Sequence, residues 1–497
     1  MSAVLRTLFE HARHRPEAVA LRGESQAVNY AALARAVECA AQRLRRAGVR
    51  TAAVLMENAP AWAVVDLAAQ LADVVLVPLP AFFSDEQLAH AIEDAAVELV
   101  VTDMPARVRG LAVTDPAPSD DIEALGASYA GIRVSPRGSP LPAGIAKVTY
   151  TSGTTGSPKG VCLSQAAIDE VAQNLHARLG PELVARHLCL LPLATLLENI
   201  GGLYLPLLAG GEACLWSSAR CGLQGAAGLD ARRLVEALHT SGATSAILIP
   251  QMLQALVARE ARLPEARFLA VGGAPVAPGL LRRAAELGLP VFEGYGLSEN
   301  ASVVCVNTPA AHRAGSVGRP LPHAGVRLAP DGELLVRGGL FAGYLHDGAP
   351  ALVEGYWPTG DLGHIDGDGY VHLTGRKKNI FITAYGRNVA PEWVERELVL
   401  QPAIAQAVVY GEARPWNAAI VVARADASLV GEAIARANGS LPDYARVSRF
   451  VLADEPFSVA NGELTGTGRP RRSAILARYG ARLNALYEST SVQEVLA

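Results

Sequence analysis

The stretch Tyr150-Thr-Ser-Gly-Thr-Thr-Gly-Ser-Pro-Lys-Gly160 decides how the rest of the chain is interpreted. It follows a short apolar run, residues 146–150, that is typical of a β-strand. Its glycines let backbone N–H groups close on an anion, its hydroxyl groups add donors, and Lys159 adds a charge suited to phosphate. It is not a Walker A loop, because Pro158 precedes the lysine and Gly160 follows it. The stretch therefore predicts a phosphate-binding loop that follows a strand.

The composition is that of a well-packed globular protein. The chain has 497 residues, which is too long for one ordinary core and predicts two or more domains. Half of the residues are apolar and the net charge is −4. Disorder is therefore excluded, and nothing in the bulk charge points to nucleic acid or to an anionic membrane. The six cysteines form no C-x-x-C pair, which predicts scattered, reduced core thiols.

The sequence shows no pattern of a signal peptide or of a membrane span. The N-terminus, Met-Ser-Ala-Val-Leu-Arg, lacks a charged start and a long apolar run. The most apolar stretch, residues 63–83, is interrupted by Asp66, Asp73 and Pro78. A buried helix followed by a buried strand accounts for it better than a transmembrane helix does. We expect a cytoplasmic protein without a membrane span.

Lysine is rare in this chain. Of the 44 basic residues only four are lysines: Lys147, Lys159, Lys377 and Lys378. Because arginine has replaced lysine almost everywhere else, these four are candidates for roles that arginine cannot take.

Short apolar runs alternate with helical patterns over much of the chain. The expected helices cover residues 30–47, 230–240 and 278–286, with another from 251, and the expected strands cover 51–56, 74–78, 98–102, 245–249, 268–271 and 291–293. This alternation predicts an α/β fold whose mostly parallel sheets are flanked by helices.

The pattern changes after about residue 310, where short strands between Gly and Asp turns predict an antiparallel β-region. Asp366-Gly-Asp-Gly lacks the ligand spacing of a calcium loop and is expected to be a hairpin turn. A compact α+β pattern begins at Lys378. We therefore expect a large N-terminal domain over residues 1–377 and a small α+β domain over residues 378–497.

In this setting the stretch at residues 150–160 resembles the phosphate-binding signature of the adenylate-forming enzymes. These are the acyl- and aryl-CoA synthetases, the peptide-synthetase adenylation domains and the beetle luciferases. The resemblance extends from about residue 8 to about residue 475 and is nearest to the fatty acyl-CoA synthetases. It implies that an acid and ATP give an acyl-adenylate and pyrophosphate, and that a thiol then takes the acyl group. The implied cofactors are ATP, Mg²⁺ and CoA, or a carrier-protein phosphopantetheine arm in place of CoA.

The resemblance implies a set of nucleotide contacts in the large domain. Gly272-Gly-Ala-Pro275 resembles the loop that borders the adenine, and Tyr295 matches the residue that stacks on it. Thr359-Gly-Asp361 and Arg376 match the ribose-binding element. The implied nucleotide-binding residues are Thr151, Ser152, Gly153, Thr154, Thr155, Gly156, Gly273, Ala274, Tyr295, Asp361 and Arg376.

Further roles follow from the same resemblance. Lys159, Ser298, Glu299 and Arg469 are the implied catalytic residues. Ser298 contacts the α-phosphate or the acid, and Glu299 holds the magnesium ion, for which a hard oxygen ligand is suitable. The resemblance also implies a small domain that is mobile about a hinge at Lys378, a thiol tunnel at Gly386 and an acid pocket at Thr195.

The chain departs from the family pattern near its C-terminus. A lysine that stabilises charge during adenylation is expected there, but the matching position is Arg469 and no lysine follows Lys378. Arg469 keeps the charge without the compact geometry of lysine. Four interpretations stay open: Arg469 takes over the role, adenylation is slow, the enzyme works differently in this step, or Arg469 is a surface residue and the role is vacant.

A second departure is Thr195, where long-chain relatives often carry His. Glu198 is either structural or adjacent to a metal, and Tyr385 either narrows the thiol passage or only packs. We expect an aliphatic acid first and an aryl or medium-chain acid next. Transfer to an acyl carrier protein and a degenerate nucleotide-binding protein remain alternatives, whereas the missing G-K-[ST] argues against a P-loop ATPase or kinase.

Overall fold

The fold was obtained as a computed structural model, which describes residues 1–111, 120–135, 138, 141–151, 158–224, 228–274, 276–465 and 468–488. The helices are α1 Ala3–His14, α2 Tyr30–Ala47, α3 Pro60–Ala72, α4 Asp85–Asp94, α5 Pro105–Arg109, α6 Gln165–Leu179, α7 Leu196–Glu198, α8 Leu205–Ala209, α9 Ala231–Ser241, α10 Pro250–Ala258, α11 Pro278–Glu286, α12 Pro391–Val399, α13 Ala427–Asn438 and α14 Arg472–Glu488. A π-helix covers Asn199–Tyr204, and 3₁₀ turns cover Ser298–Asn300, Lys377–Asn379 and Asp443–Ala445.

The strands, in chain order, are β1 Val19–Arg22, β2 Ala27–Asn29, β3 Thr51–Leu55, β4 Val75–Pro78, β5 Leu99–Thr102, β6 Ile122–Ala124, β7 Ala127–Arg133, β8 Ile145–Thr151, β9 Lys159–Ser164, β10 Arg186–Leu188, β11 Glu212–Cys214, β12 Leu223–Gln224, β13 Gly228–Leu229, β14 Ser245–Leu248, β15 Phe268–Val271, β16 Val291–Tyr295, β17 Cys305–Val306, β18 Arg319–Pro320, β19 Gly325–Leu328, β20 Glu333–Arg337, β21 Gly343–Tyr344, β22 Trp357–Ile365, β23 Val371–Arg376, β24 Phe381–Ile382, β25 Asn388–Val389, β26 Ile404–Tyr410, β27 Asn417–Ala423 and β28 Val447–Leu452.

Two large sheets form the centre of the N-terminal part. One has the order β18-β17-β16-β15-β14-β10-β11-β1-β2, and the other has the order β21-β9-β8-β4-β3-β5-β7-β6. Their central pairs, such as β14 with β15 and β3 with β4, are parallel, whereas pairs toward the edges, such as β8 with β9, are antiparallel. The predicted α/β class is therefore confirmed, but both sheets are mixed, because antiparallel pairs flank their parallel centres.

Helices lie between the two sheets and on both outer faces. The largest apolar cluster joins α2, α3 and α6 to strands of both sheets and contains the fully buried Trp62. A second cluster packs α9, α10 and α11 on the outer face of one sheet, and a third packs α4 on the outer face of the other. Burying apolar faces on both sides of each sheet explains why its strands are short, continuous apolar runs.

The local signals in the sequence account for several of these elements. Asn29 caps α2 by accepting the Ala32 N–H at 2.8 Å, and α2 ends at Gly48 in the left-handed conformation with φ +68°. The predicted helix over residues 30–47 and the predicted strand over residues 268–271 have the observed bounds. The apolar stretch at residues 63–83 forms most of α3 and all of β4, as expected.

An antiparallel sheet with the order β19-β20-β22-β23 follows. Its β22–β23 connection is the expected hairpin turn, because Asp366 accepts the N–H groups of Asp368 and Tyr370 at 3.0 Å. The small C-terminal domain is built on the sheet β26-β27-β28, with one apolar cluster on each face. It touches the large domain where Gln254 Nε2 donates to the Val399 carbonyl at 3.3 Å.

The cysteines are free thiols, five of them buried and Cys39 exposed. Among the helices that the structure describes, none has the length and apolar character needed to cross a bilayer.

Candidate active site

The predicted phosphate loop begins and ends on an antiparallel strand pair. Thr151 closes β8 and lies opposite Lys159, which opens β9. The loop residues Ser152, Gly153, Thr154, Thr155 and Gly156 lie outside the described residues. Lys159 is about half exposed and forms an ion pair with Asp347, with Nζ 3.2 Å from Oδ2. The same ammonium lies 5.0 Å from the centre of the Tyr344 ring, which is within cation–π range.

Ser298 and Glu299 lie in the 3₁₀ turn that follows β16. The Glu299 carboxylate accepts a hydrogen bond of 2.6 Å from the Tyr344 hydroxyl. Burial first, and then the Glu299 carboxylate, raises the pKa of Tyr344 above its ordinary value. Tyr344 therefore remains a protonated donor, and it contacts both Glu299 and Lys159.

Asp361 and Arg376 face each other across the β22–β23 pair. Arg376 Nε lies 2.5 Å from Asp361 Oδ1, and the buried Tyr295 donates its hydroxyl to Asp361 Oδ2 at 2.7 Å. Burial raises the pKa of Asp361, while Arg376, the Tyr295 hydroxyl and Arg469 act in the opposite direction. The two predicted ribose contacts and the predicted adenine contact are thus parts of one hydrogen-bonded group.

Arg469 reaches this group from the C-terminal domain. Its Nε and Nη2 both donate to the carbonyl of Gly273, at 3.1 and 2.6 Å. Gly273 is exposed, with φ +80°, as is Ala274 beside it. Arg469 is exposed along part of its surface. Desolvation of its guanidinium and the charge of Arg376 nevertheless lower its pKa, whereas the charges of Asp361 and Glu299 raise it.

Lys378 is a third cation at the same place. Partial burial, and then the charges of Arg376 and Arg469, lower the pKa of Lys378, while Asp361 raises it. Three cations thus lie within electrostatic range of one another around a small number of carboxylates. Like charges at short range are unfavourable, so such a cluster suits a bound polyanion.

Two models of known protein families match most of the chain. Residues 8–357 match the model of the AMP-binding enzymes, and residues 378–491 match the model of the AMP-binding enzyme C-terminal domain. The chain belongs to the AMP-binding enzyme family. The resemblance of the loop at residues 150–160 to the adenylate-forming enzymes is confirmed by this finding.

Relatives of this AMP-binding enzyme include acyl- and aryl-CoA ligases. It is 31% identical to the feruloyl-CoA synthase of an Amycolatopsis species, over 94% of this chain and 97% of the relative. It is 29% identical to the long-chain-fatty-acid–CoA ligase FadD15 of Mycobacterium bovis, over 97% of this chain and 96% of the relative. A solved structure with the same fold is the O-succinylbenzoate coenzyme A synthetase of Bacillus subtilis in complex with ATP and magnesium ion, with a TM-score of 0.76, 24% identity and coverage of 94% and 98%.

Thr195, predicted to line the acid pocket, and Gly386, predicted to line the thiol tunnel, make hydrogen bonds only to residues near them in the chain among the contacts that the structure describes. Thr195 donates its hydroxyl to the Pro192 carbonyl at 2.7 Å and precedes α7. Gly386 lies in the β24–β25 hairpin with φ +72°, and its N–H donates to the Thr383 carbonyl at 2.9 Å. The adjacent Tyr385 is 76% exposed, so it does not pack into the core in this conformation.

Glu198 lies in a buried polar cluster beside Thr195. It accepts from the Leu191 N–H at 3.0 Å and lies 2.9 Å from His187 Nε2. The ligand atoms of His187, Cys189 and Glu198 lie within 4.8 Å of one another. However, His187 also bonds Ser245, and burial raises the pKa of the Cys189 thiol well above its ordinary value. These contacts describe a structural carboxylate in a closed hydrogen-bonded cluster, and a metal ion would have to displace them.

Sequence reasoning missed Tyr344 and Asp347. They follow Glu299 by 45 residues and Lys159 by 188 residues, and no local pattern marks either as a contact of those residues. A tyrosine or aspartate in a loop of short strands has many ordinary uses, so only the folded arrangement identifies them.

Proposed function

We propose that this AMP-binding enzyme is an acid–thiol ligase that activates a carboxylic acid with ATP. An oxygen of the acid attacks the α-phosphorus, the bond to pyrophosphate breaks, and an acyl-adenylate forms. The sulfur of the CoA thiol then attacks the acyl carbonyl, and AMP leaves. The observation that carries this proposal is geometric: Arg376 Nε lies 2.5 Å from Asp361 Oδ1, and Arg469 of the small domain donates to the Gly273 carbonyl of the large domain at 2.6 Å.

The phosphates of ATP are assigned to the loop that joins Thr151 to Lys159, together with the Lys159 ammonium. Glu299 is assigned to Mg²⁺, which would offset the negative charge of the phosphates when bound. A carboxylate offers about four lone-pair sites, so the hydrogen bond from Tyr344 leaves Glu299 able to bind a cation as well. Mg²⁺ prefers oxygen ligands of this kind and keeps several waters.

The nucleoside is assigned to the group around Asp361. Its carboxylate has capacity to accept from ribose hydroxyls beside the bonds from Tyr295 and Arg376. Tyr295 is assigned to the adenine face, and the exposed backbone at Gly273 and Ala274 to the adenine edge.

Arg469 is assigned to adenylation in place of the usual lysine. Charge develops on the acid and the α-phosphate as the acyl-adenylate forms, and a cation held close to it lowers the barrier. Arg469 is anchored on Gly273, which is assigned to the adenine edge, and it lies within electrostatic range of Arg376 and Asp361. Ser298, beside Glu299, is assigned to the α-phosphate or the acid.

We assign the second half-reaction to a different face of the small domain. We assign the hinge to Lys378, with domains over residues 1–377 and 378–497, and the thiol passage to the hairpin that contains Gly386. The exposed Tyr385 fits a passage-lining residue better than a core residue. Free CoA is the preferred acceptor because the relatives compared above are CoA ligases, and a carrier-protein arm is the alternative.

The acid is expected to be aliphatic first and aryl next, since the relatives include both a fatty-acid ligase and a feruloyl ligase. The pocket is assigned to the region of Thr195. We also expect the enzyme to act in the cytoplasm.

Acid-dependent exchange of labelled pyrophosphate into ATP tests the proposal directly. A panel of short- to long-chain aliphatic acids and aryl acids is screened, and the best acid is then incubated with CoA or with a phosphopantetheinylated carrier protein. At least one acid should support exchange, and CoA should yield the thioester. If ATP binds and no acid supports exchange, the chain is a nucleotide-binding protein and the ligase assignment is wrong.

A further inference from the structure

Residues 341–347, which we call the bracing segment, contact both the Glu299 carboxylate and the Lys159 ammonium. Its strand β21 pairs with β9, and the Leu345 N–H donates to the Gly160 carbonyl at 2.8 Å, one residue after Lys159. At its other end the Phe341 N–H donates to the Glu299 carbonyl at 2.8 Å. The backbone of the bracing segment is thus bonded beside Lys159 and at Glu299.

The bracing segment is held in a fixed shape by packing. Phe341, Tyr344 and Trp357 form an edge-to-face cluster with ring centres 4.9 to 6.3 Å apart. Gly343 has φ +135°, and a Cβ there would lie 2.0 Å from the Gly348 carbonyl oxygen. No residue other than glycine fits this position without a backbone shift.

His346 fixes the C-terminal end of the bracing segment. It has φ +67°, which is uncommon for a residue with a side chain. Its Nε2 lies 3.2 Å from the Asp94 carbonyl oxygen and 3.3 Å from the Asp94 carboxylate. Asp94 also accepts from the Tyr150 hydroxyl at 2.7 Å, at the end of the strand that leads into the phosphate loop. The bracing segment is therefore linked through Asp94 to Tyr150, which precedes the phosphate loop.

Two side chains of the bracing segment point to the assigned catalytic groups. Tyr344 donates to the Glu299 carboxylate at 2.6 Å, and Asp347 lies 3.2 Å from the Lys159 ammonium. A neutral hydroxyl orients a carboxylate without cancelling the charge that a metal ion needs. A carboxylate paired with the lysine, in contrast, would compete with a phosphate for the ammonium group and repel it.

We propose that Tyr344 and Asp347 are positioning residues for MgATP: Tyr344 holds Glu299 ready for the metal, and Asp347 holds Lys159 until a phosphate displaces it. This inference rests on the proposed function, in which Glu299 binds Mg²⁺ and Lys159 binds phosphate. It assigns opposite effects to the two residues, since Tyr344 favours MgATP and Asp347 competes with it.

The test is calorimetric titration of ATP into the full-length chain, once in EDTA and once with saturating Mg²⁺. Asp347→Asn should bind ATP about twofold to fivefold more tightly under both conditions. The reason is that Lys159 no longer has to break an exposed ion pair before it binds a phosphate. Tyr344→Phe should bind ATP normally in EDTA but lose about threefold to tenfold of the tightening that Mg²⁺ gives.

Matched controls are available on the same chain. Tyr356→Phe changes a tyrosine whose ring is stacked by Arg327, and Asp368→Asn changes an exposed aspartate that pairs with Arg313 at 2.6 Å. Both controls should titrate like the wild type. Circular dichroism and thermal unfolding check that each variant is folded.

The outcomes separate this inference from the proposed function. Tightening by Asp347→Asn supports the role of Asp347, because Asp347 is exposed and loss of structure does not strengthen binding. If folded Tyr344→Phe keeps the full tightening by Mg²⁺, the role of Tyr344 is wrong. If the wild type binds ATP and Asp347→Asn binds it equally or more weakly, the positioning role is wrong while the ligase proposal stands. If the wild type binds no ATP, both are wrong.

Discussion

Replacement of Arg469 by alanine is expected to slow adenylate formation about tenfold to a hundredfold. The side chain makes two charge-assisted donations to the Gly273 carbonyl, at 3.1 and 2.6 Å. A hydrogen bond from a charged group contributes about 1.5–3 kcal/mol, and one factor of ten in rate corresponds to about 1.4 kcal/mol. Because Arg469 is partly exposed and both donations go to one oxygen, the loss is counted as one such hydrogen bond, about 1.4–2.8 kcal/mol, and not as two.

The assay compares the two half-reactions. Pyrophosphate exchange with the preferred acid reports adenylation, and thioester formation from supplied acyl-adenylate reports the second step. Exchange should fall much more than thioester formation. Arg469→Lys keeps the charge with a single point donor and should retain more exchange than alanine does. Arg471→Ala, which removes a donation to Gly462 within the small domain, is the matched control. Equal losses in both half-reactions would refute the assignment of Arg469 to adenylation.

Three further predictions concern the large domain. Glu299→Gln should lower exchange at limiting Mg²⁺ at least about tenfold through loss of a charged oxygen ligand, while ATP binding in EDTA stays unchanged; near-wild-type exchange removes Glu299 from the site. Burial raises the pKa of Glu293 from 4.5 to about 7, so the folded chain holds this proton more firmly than the unfolded chain, and stability is lost as pH rises between these values. Glu293→Gln should abolish that slope, with a gain of roughly 3 kcal/mol at pH 8 by urea unfolding; an unchanged slope contradicts it. Lys147→Met should lower the free energy of unfolding by about 3–5 kcal/mol, because Asp66, whose carboxylate lies 2.6 Å from the Lys147 ammonium, is left as an unpaired buried charge. The double variant with Asp66→Ala should lose less than the sum of the two single losses.

The four lysines illustrate how far the sequence could be interpreted. Their rarity marked them as candidates for special roles, and the structure gives them different surroundings. Lys147 is fully buried and bonds Asp66 and Tyr204, whereas Lys377 is half exposed between Asp331 and Glu333. Composition identifies an unusual residue, but burial and partners depend on which distant segments the fold brings alongside it.

The sequence by itself determined the family, the layered α/β class and the order of the nucleotide-binding motifs. These features depend on short-range patterns: apolar runs, helix caps and a loop rich in glycine and hydroxyl groups. It also identified Arg469 as the residue in the usual lysine position, because no lysine follows Lys378.

Only the tertiary structure decided what these residues contact. It joined Arg469 to Gly273 across 196 positions, and Lys159 to Asp347 across 188 positions. It also brought Tyr344 to Glu299, where the Phe341 N–H donates to the Glu299 carbonyl at 2.8 Å. The physical reason is that side-chain periodicity encodes which face of an element is buried, whereas the partner of a polar group depends on strand order and on how the two domains pack.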